Sequence, residues 1–412
     1  MQASEQKNFR FNYIVNVLDG AFFGLGLGFA SFSTIIPLFV ATLTNSAILI
    51  GLVSSIHQLG WQLPQLLIAS HLARQTRYKP LTIKATLHER IPFFGLAIIA
   101  LGIPTLGPVW SLILVFLLLT WQGFGAGFTA NPWQNLINKV IPANSLATFF
   151  GVQTAALNLF ASGSAIVAGI ILERVAYPRN YSLTFFLCGA TLLFSLLFIS
   201  LNRESHHIIP PMEEGQASVW SQMTRILRTD KSFNWLLLSR ILTQFGIAGA
   251  AFYAIYVTKE LGAGESIAAT QASVLMFSQV VFNLILGWLA DRWSRLGVMI
   301  IGGLTIIASS VIAFWAPNAN WFYLVMVLLG VAYTTTFPIL MSVLLQFGSP
   351  QDRPTYIGMA NTLITPVTFL APLLAGWLVA TAGYQITFLV SAAFGLAALL
   401  VLTQIRIPRQ SP

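Results

Sequence analysis

The sequence predicts an all-α polytopic membrane protein, with twelve transmembrane helices in two pseudo-symmetric six-helix bundles. Three observations lead to this fold class: an apolar composition, apolar runs of membrane-spanning length, and a repeat that relates the two halves. The chain is 56% hydrophobic and only 8% charged, with a mean hydropathy of +0.77. A soluble protein carries about 25% charged residues. So few charges cannot cover the surface of 412 residues in water.

Apolar runs of roughly 20 residues recur, and each can cross about 30 Å of hydrocarbon as a helix. The third run is the least regular, because ionisable residues at 84 and 88–90 crowd its start. We therefore expect it to begin in the cytoplasm and to enter the membrane near Ile91. The predicted spans are residues 12–42, 47–71, 82–103, 109–138, 145–172, 181–202, 233–260, 267–291, 297–316, 320–347, 354–380 and 384–406.

The basic residues are distributed unevenly between the predicted loops. The net charge of +9 marks cytoplasmic loops in a membrane protein, so nucleic acid is not expected as a partner. Twelve spans put both termini on one side. Only Arg174, Arg179 and Lys259 fall in loops on the other side, and the remaining 18 of the 21 Lys and Arg do not. Both termini are therefore predicted to be cytoplasmic, in an inner or plasma membrane.

Motifs typical of enzyme active sites do not appear in the sequence. Cys188 is the only cysteine, which leaves no intrachain disulfide and no Cys/His metal cluster. No phosphate-binding loop and no paired nucleophile and base are visible either. We expect no catalytic residue, metal or cofactor, and a monomeric protein.

The two halves of the chain repeat each other. The start of the first span, residues 11–13, recurs as residues 233–235 at the start of the seventh, 222 positions later. In the fifth and eleventh spans Gly151 falls on Gly358, at an offset of 207. Parallel repeats of this kind place a cleft between two bundles near the bilayer midplane. The predicted division is an N-terminal bundle at 1–202, a cytoplasmic linker at 203–232 and a C-terminal bundle at 233–412.

The linker is polar and contains two prolines, but its end has an amphipathic pattern. Val219, Trp220, Met223, Ile226 and Leu227 fall on one helical face. Such a helix is expected to lie on the inner membrane surface. The alternative is a solvated linker with no membrane contact.

A charged loop follows the eighth span and has a degenerate copy after the second. Residues 287–295 read Gly-Trp-Leu-Ala-Asp-Arg-Trp-Ser-Arg, and the copy, 218 positions earlier, is residues 69–77. The copy keeps both arginines but has alanine where the second loop has its acid. The matching positions are Gly287 and Ala69, Asp291 and Ala73, Arg292 and Arg74, and Arg295 and Arg77.

Six plus six spans, a long central linker and the G-x-L-A-D-R-x-x-R pattern together resemble the major facilitator superfamily. The resemblance covers essentially the whole chain. It implies a secondary transporter whose halves rock between inward-open and outward-open states. The family carries sugars, drugs, peptides, ions and lipids, so the resemblance does not name the substrate.

The resemblance also implies what each charged loop faces. The loop with Asp291 should face the start of the fifth helix, near residues 144–145, whose partly positive N-terminus favours an anion. The first copy should face the eleventh helix, where Asp352 is placed to pair with Arg74 or Arg77; alternatively, those arginines only set the topology. The predicted conformational gate consists of Gly287, Asp291, Arg292, Arg295, Arg74, Arg77, Asp352 and Arg353.

Polar side chains inside the predicted spans recur at helical spacing. Such groups usually face a bundle interior or a cavity, although amides can also serve only to join helices. In the family, the first, fourth, seventh and tenth helices and their symmetry mates line the cavity. The candidate cavity residues are His57, Gln58, Gln62, Gln122, Asn131, Asn135, Thr154, Asn158, Gln244, Gln279, Asn283, Asn361 and Thr365.

Two ionisable residues lie deeper in the spans than the others. Asp19 is about two turns into the first span and Arg240 about two turns into the seventh, at nearly equivalent repeat positions. They are candidates for an ion pair between the halves, and Asp19 is also a candidate proton-coupling group. A structural role, as a cap or a paired charge, is the alternative. His57 is expected to be a hydrogen-bonded structural residue rather than a proton relay.

The sequence therefore predicts a secondary transporter of a small organic solute. Few fixed charges and many amides in the cavity favour a neutral or amphiphilic molecule, and we favour proton-driven efflux. The alternatives are facilitated uptake of a neutral nutrient, and a transporter-like sensor or lipid-handling protein without turnover. The expected partners are the lipid bilayer, the solute and protons.

Overall fold

The computed structural model describes residues 3–32, 35–44, 47–205, 219–263, 265–349 and 352–405. These residues are mostly helical, and no strand occurs among them, in agreement with the predicted all-α class. The main helices are α1 (Ala3–Phe29), α2 (Ile35–Leu43), α3 (Ala47–Gln62), α4 (Pro64–Ala73), α5 (Lys79–Val140), α6 (Leu146–Arg174), α7 (Arg179–Leu201), α8 (Val219–Thr229), α9 (Lys231–Ala248), α10 (Tyr253–Lys259), α11 (Glu265–Arg292), α12 (Arg295–Trp315), α13 (Trp321–Thr334), α14 (Leu340–Leu344), α15 (Arg353–Thr362), α16 (Thr365–Ala382) and α17 (Tyr384–Leu402).

Nine helical segments in the described part of the chain are long and apolar enough to cross a membrane. One of them, α5, has 62 residues and contains two predicted spans. Its helix is broken at Gly107, where φ is 72° and ψ is 165°, a conformation that favours glycine. The chain reverses direction at this break. This is shown by Gly125, in the second arm of α5, which packs against the backbone of His88 and Glu89 in the first arm. The third and fourth predicted spans are thus a helical hairpin.

Several other predicted spans are interrupted helices. The second span breaks between α3 and α4, where Pro64 occupies the first turn of α4 and supplies no N–H. The seventh contains a 3₁₀ turn at Gly249–Phe252, and the tenth a π-helical turn at Thr335–Ile339 that includes Pro338. By contrast, α7, α12 and α17 run without a break. Irregular backbone at membrane depth is tolerated where it is buried in protein or lines a cavity.

The chain forms two compact units, and each includes a helix start from the other half of the sequence. The first unit consists of Met1–Ala143, Ala156–Val219 and Ser349–Thr362. The second consists of Asn144–Ala155, Trp220–Gly348 and Leu363–Pro412. The first turns of α6 therefore belong to the second unit, and all of α15 belongs to the first. The predicted bundles 1–202 and 233–412 do not anticipate this exchange.

Each unit has an aromatic-rich interior. In the first, Phe39 of α2 contacts Tyr181 and Phe185 of α7, with ring centroids 5.1 and 5.0 Å apart. In the second, Tyr253 contacts Phe388 of α17 at a centroid distance of 5.1 Å. Between helices already in lipid, close packing of this kind contributes more than apolar burial does.

The amphipathic segment predicted before the seventh span does form a helix, α8. Ile226 is buried on it, whereas Trp220 on the same predicted face is 61% exposed. Asp230 ends α8 and caps α9, because its side chain accepts a hydrogen bond from the Phe233 amide at 2.9 Å. Linker residues 206–218 lie outside the described residues.

Candidate functional site

Asp291 caps the first turn of α6. Its Oδ1 accepts a hydrogen bond from the Ala147 amide at 3.2 Å, and its Oδ2 accepts one from the Thr148 amide at 2.6 Å. Arg295 donates to the same carboxylate at 2.8 Å. The first amides of a helix have no acceptor within the helix, and the helix dipole favours an anion there. We call this set of four residues the ionic contact; it lies wholly in the second unit.

Close backbone packing extends the ionic contact along α11. A Cβ on Gly151 would overlap the carbonyl oxygen of Asn283, and a Cβ on Gly287 would lie 2.7 Å from the carbonyl oxygen of Ala147. The repeat position Gly358 is equally restricted, since a Cβ there would lie 2.8 Å from the carbonyl oxygen of Gln65. The glycines that repeat in the fifth and eleventh spans are thus sites where two helices approach closely.

Replacing Gly151 with alanine is expected to push α6 away from α11 and to lower the thermal unfolding midpoint of the purified protein. Gly169, on the same helix, is the matched control, because a Cβ there meets nothing within 4 Å. Gly169→Ala should leave the midpoint unchanged or raise it, since alanine is the better helix former by about 1 kcal/mol. Equal midpoints for the two variants would contradict the importance of the crossing.

Arg292 lies apart from the ionic contact, although the sequence groups it with Asp291 and Arg295. It is exposed, and its guanidinium lies 5.4 Å from the centre of the Trp288 ring. Arg295, by contrast, is buried and also donates to the carbonyl oxygen of Ser342 at 3.3 Å. Arg295 is therefore the arginine that joins the carboxylate to the rest of the second unit.

The first copy of the charged loop does not form the expected ion pair. Arg74 and Arg77 are exposed, and among the residues that the structure describes neither forms a salt bridge with Asp352. The Asp352 carboxylate instead accepts a hydrogen bond from the Ser349 hydroxyl at 3.1 Å, three residues earlier in its own segment. The structure therefore does not contain the expected pair of Asp352 with Arg74 or Arg77, and the gating role of these residues stays a prediction. Short local hydrogen bonds at a helix start compete with long-range pairing of exposed charges.

Neutral groups hold α15 against α4 and α5 instead. Asn131 donates to the carbonyl oxygens of Gln65 and Pro354 at 3.0 and 2.9 Å, and Asn361 donates to Gln65 Oε1 at 2.6 Å. Asn131, Gln65 and Asn361 are all fully buried. We call these four residues the amide contact; it lies wholly in the first unit. The half that has Ala73 in place of the acid is thus joined by uncharged hydrogen bonds.

A cluster of buried charges lies between α1, α5 and α7. Ser195 accepts a hydrogen bond from Arg90 Nη2 at 2.8 Å and donates one to Asp19 Oδ1 at 2.6 Å. Glu89 Oε2 lies 3.5 Å from Arg90 Nη1. Glu89 and Arg90 are only 6% and 1% exposed, so they belong to the interior of the first unit. The entry of the third span into the membrane near Ile91 stays a prediction.

Arg90 is held by backbone groups as well as by this charge network. Its Nε donates to the Leu192 carbonyl oxygen at 2.8 Å, and its Nη1 donates to the Thr86 carbonyl oxygen at 3.2 Å. The guanidinium also lies 5.8 Å from the centre of the Phe23 ring. A signal for this arrangement was available in the sequence: a buried Asp19 needs a cation, and Arg90 adjoins an apolar run.

The predicted cavity residues of the first unit lie in different surroundings. His57 Nδ1 lies 3.0 Å from Gln122 Oε1, and the imidazole stacks on Phe32 with ring centroids 3.8 Å apart. This agrees with a hydrogen-bonded His57. Asn135 donates to Asn131 and so supports the amide contact. The remaining candidates are Gln58, which is exposed, Gln62, which is buried, and Asn158, which is partly buried on α6.

In the second unit, Arg240 and Gln244 line one cavity. Asn283 is buried at the α6 crossing, and its Oδ1 has no hydrogen-bond partner among the described residues. Thr154 and Gln279 are partly buried, and Thr365 is buried at the start of α16. Asp19 and Arg240 lie in different units, so the ion pair proposed between them stays a prediction.

Comparisons with known proteins agree with this architecture. Residues 236–412 match the family model of the Major Facilitator Superfamily. The chain is similar to the proton:xylose symporter XylE, with a TM-score of 0.75 and 17% identity over 98% of this chain and 97% of that one. It is also similar to the E. coli fucose:proton symporter FucP, with a TM-score of 0.77 and 13% identity over 98% and 100%.

A third similar structure is a bacterial homologue of the iron transporter ferroportin in its outward-facing state. Its TM-score is 0.75 at 15% identity, over 95% of this chain and 98% of that one. Similarity at these identities establishes the twelve-helix fold and leaves the substrate open. No curated protein matches the chain.

Proposed function

We propose that this chain is a proton-coupled transporter of a small amphiphilic solute. Its assignment to the major facilitator superfamily is supported by the fold of its whole length and by the family match of residues 236–412. The fold and the family are those of secondary transporters. The proposed location is an inner or plasma membrane, with both termini cytoplasmic and the protein acting as a monomer. We retain efflux as the proposed direction.

The ionic and amide contacts support alternating access. Each joins the start of a helix from one half of the sequence to helices from the other half. Both are built from a few polar groups and one glycine crossing, so they can separate without disrupting a large apolar core. We propose that both close the cytoplasmic side and that both break when it opens.

The charge balance of the Asp19 cluster is the observation that carries proton coupling. Two carboxylates, Asp19 and Glu89, share one cation, Arg90, in a buried site. With both carboxylates ionised the cluster would have a net charge of −1, and an uncompensated buried charge costs several kcal/mol. One bound proton makes the cluster neutral. A conformation that admits water to Asp19 would lower that cost and release the proton.

The first test is transport by the purified protein in liposomes. A pH gradient should drive accumulation of a transported solute by the wild type. Asp19→Asn should reduce that accumulation to the level reached without a gradient, while solute counterflow continues, because exchange needs no net proton movement. Glu173→Gln is the control, since Glu173 is an exposed acid near the end of α6.

Each other result points to a different function. Counterflow that does not respond to pH in the wild type would indicate a facilitator. An absence of exchange across a broad panel of solutes would indicate a sensor or lipid-handling protein. Full pH-driven accumulation by Asp19→Asn would remove Asp19 as the coupling residue.

A further inference from the structure

A further cavity of the second unit lies between α9, α16 and α17, and its volume is about 250 Å³. Protein interiors contain few voids larger than a water molecule, whose share of liquid volume is about 30 Å³. The cavity is nevertheless smaller than most sites for drug-sized ligands, which measure about 300–1,000 Å³. Its size therefore suits a small organic molecule.

Small side chains from two helices leave this space open. Ala248 of α9 and Ala371 and Ala375 of α16 are buried, and all three line the cavity. Phe245 of α9 and Phe394 of α17 line it too, with their ring centroids 5.0 Å apart. An alanine side chain is a single methyl group, so none of the three alanines fills the space beside the two rings.

The cavity is open towards the outer surface of α16. Leu374 and Trp377 of α16 line it and are 47% and 62% exposed. The helices α9, α16 and α17 all belong to segments that are long and apolar enough to cross a membrane, so this surface is expected to face lipid hydrocarbon. No charged side chain occurs among the described residues that line the cavity. A charge without a partner is costly in such surroundings, so the cavity suits an uncharged ligand that enters from the bilayer.

Two hydroxyl groups interrupt the apolar lining, and they differ in whether their protons are used. Thr387 donates to the carbonyl oxygen of Gly383 at 2.9 Å. Ser391 is buried and accepts a hydrogen bond from the Gly249 amide at 3.2 Å. A serine hydroxyl can donate as well as accept, and the proton of Ser391 has no acceptor among the residues that the structure describes. The cavity wall therefore offers a hydrogen-bond donor.

We propose that this cavity binds a small neutral amphiphile, a short hydrocarbon with one hydrogen-bond-accepting oxygen, which enters from the bilayer. An oxygen dissolved in hydrocarbon has no donor nearby, so the Ser391 hydroxyl favours an oxygenated ligand over the acyl chains of the surrounding lipid. The alanines and the aromatic rings provide close contacts for the hydrocarbon part. Binding at this cavity does not depend on the proposed transport, and neither does its test.

Photoaffinity labelling locates the ligand in the membrane. Hexanol that carries a diazirine on its chain is added to the full-length protein in liposomes, the sample is irradiated, and the labelled peptides are identified by mass spectrometry. Labels should concentrate on residues 371–378 and 387–394. The exposed apolar surface of α7 measures the background from probe that is merely dissolved in lipid.

Competition measures the contribution of the Ser391 hydroxyl. At equal concentrations in the bilayer, 2-hexanone should displace the label from the wild type more effectively than hexane, by roughly fivefold for one neutral hydrogen bond. In Ser391→Ala the two competitors should be equally effective, because the donor is gone. This substitution removes a single oxygen atom, so it tests the site without filling it.

A second variant tests the cavity itself. Ala375→Leu should fill the space and reduce labelling at residues 371–378 and 387–394 to the background level. Ala380→Leu is the matched control, since Ala380 is an exposed residue of the same helix and does not line the cavity. Uniform labelling of the exposed apolar helices in the wild type would overturn the proposal. So would full labelling in a folded Ala375→Leu, or equal competition by hexane and 2-hexanone in the wild type.

Discussion

Arg90→Met is expected to destabilise the protein by about 3–5 kcal/mol, the typical cost of removing one partner from a buried charge pair. The loss comes less from the arginine itself than from what remains, since the pair of carboxyl groups of Asp19 and Glu89 would keep a buried negative charge with no cation beside it. The Leu192 carbonyl oxygen would also lose the hydrogen bond from Arg90 Nε. A large drop in the thermal unfolding midpoint, or loss of folded protein, is the expected measurement.

A rescue variant distinguishes the loss of charge balance from the loss of the arginine's packing as the cause of the destabilisation. The triple variant Arg90→Met, Asp19→Asn and Glu89→Gln removes the unbalanced charges and should recover most of the lost stability. Lys84→Met is the control, because Lys84 is an exposed cation on the same helix and its loss should have little effect. If the triple variant is no more stable than Arg90→Met, the cluster does not stabilise the fold through charge balance.

The second large effect is expected from Asp291→Asn. The amide side chain accepts through one oxygen instead of two and loses the charge that attracts Arg295. A charged hydrogen bond contributes about 1.5–3 kcal/mol, so the population in which the ionic contact is open should rise roughly tenfold or more. The change should favour the inward-open state over the outward-open state.

Cysteine labelling measures this opening. With Cys188 replaced by alanine, a single cysteine at Ala155 lies about two turns into α6 from the capped amides. A membrane-impermeant maleimide should label it faster in Asp291→Asn, when added from the side that carries the 287–295 loop. Arg292→Gln is the control, since Arg292 lies over Trp288 outside the ionic contact. Unchanged labelling in Asp291→Asn would show that the carboxylate does not hold α6 closed.

The features that follow from apolar run length, from helical spacing and from the repeat between the two halves could be predicted from the sequence. Apolar run lengths predicted the spans, and the resemblance to the major facilitator superfamily implied that the Asp291 loop faces the start of α6, where the carboxylate does bind. The positions of the helix breaks could not be predicted from the sequence. Pro64 and Pro338 lie at two of them, but Pro92 and Pro372 lie inside helices that continue past them, so the prolines did not identify the breaks. The 3₁₀ turn at Gly249–Phe252 contains no proline.

The charges of the third span could not be placed by the same reasoning. A run of ionisable residues before an apolar segment is typical of a membrane interface, and that pattern did not predict that Glu89 and Arg90 are buried in the interior of the first unit. Their burial depends on Ser195 and Asp19, more than 100 and 70 residues away respectively. The amide contact was hidden for a related reason: an amide that bonds to a backbone carbonyl has no partner that a sequence pattern can identify.

The placement of α15 in the first unit has a consequence for how the protein is made. Domains generally begin to fold from the N-terminus while synthesis continues. A nascent chain that ends before residue 349 has not yet supplied the Pro354 and Asn361 groups that bond to Asn131 and Gln65. The first unit can therefore reach its final form only after α15, Arg353–Thr362, has been synthesised. Each unit therefore needs a segment from the other half of the sequence before its helix packing is complete.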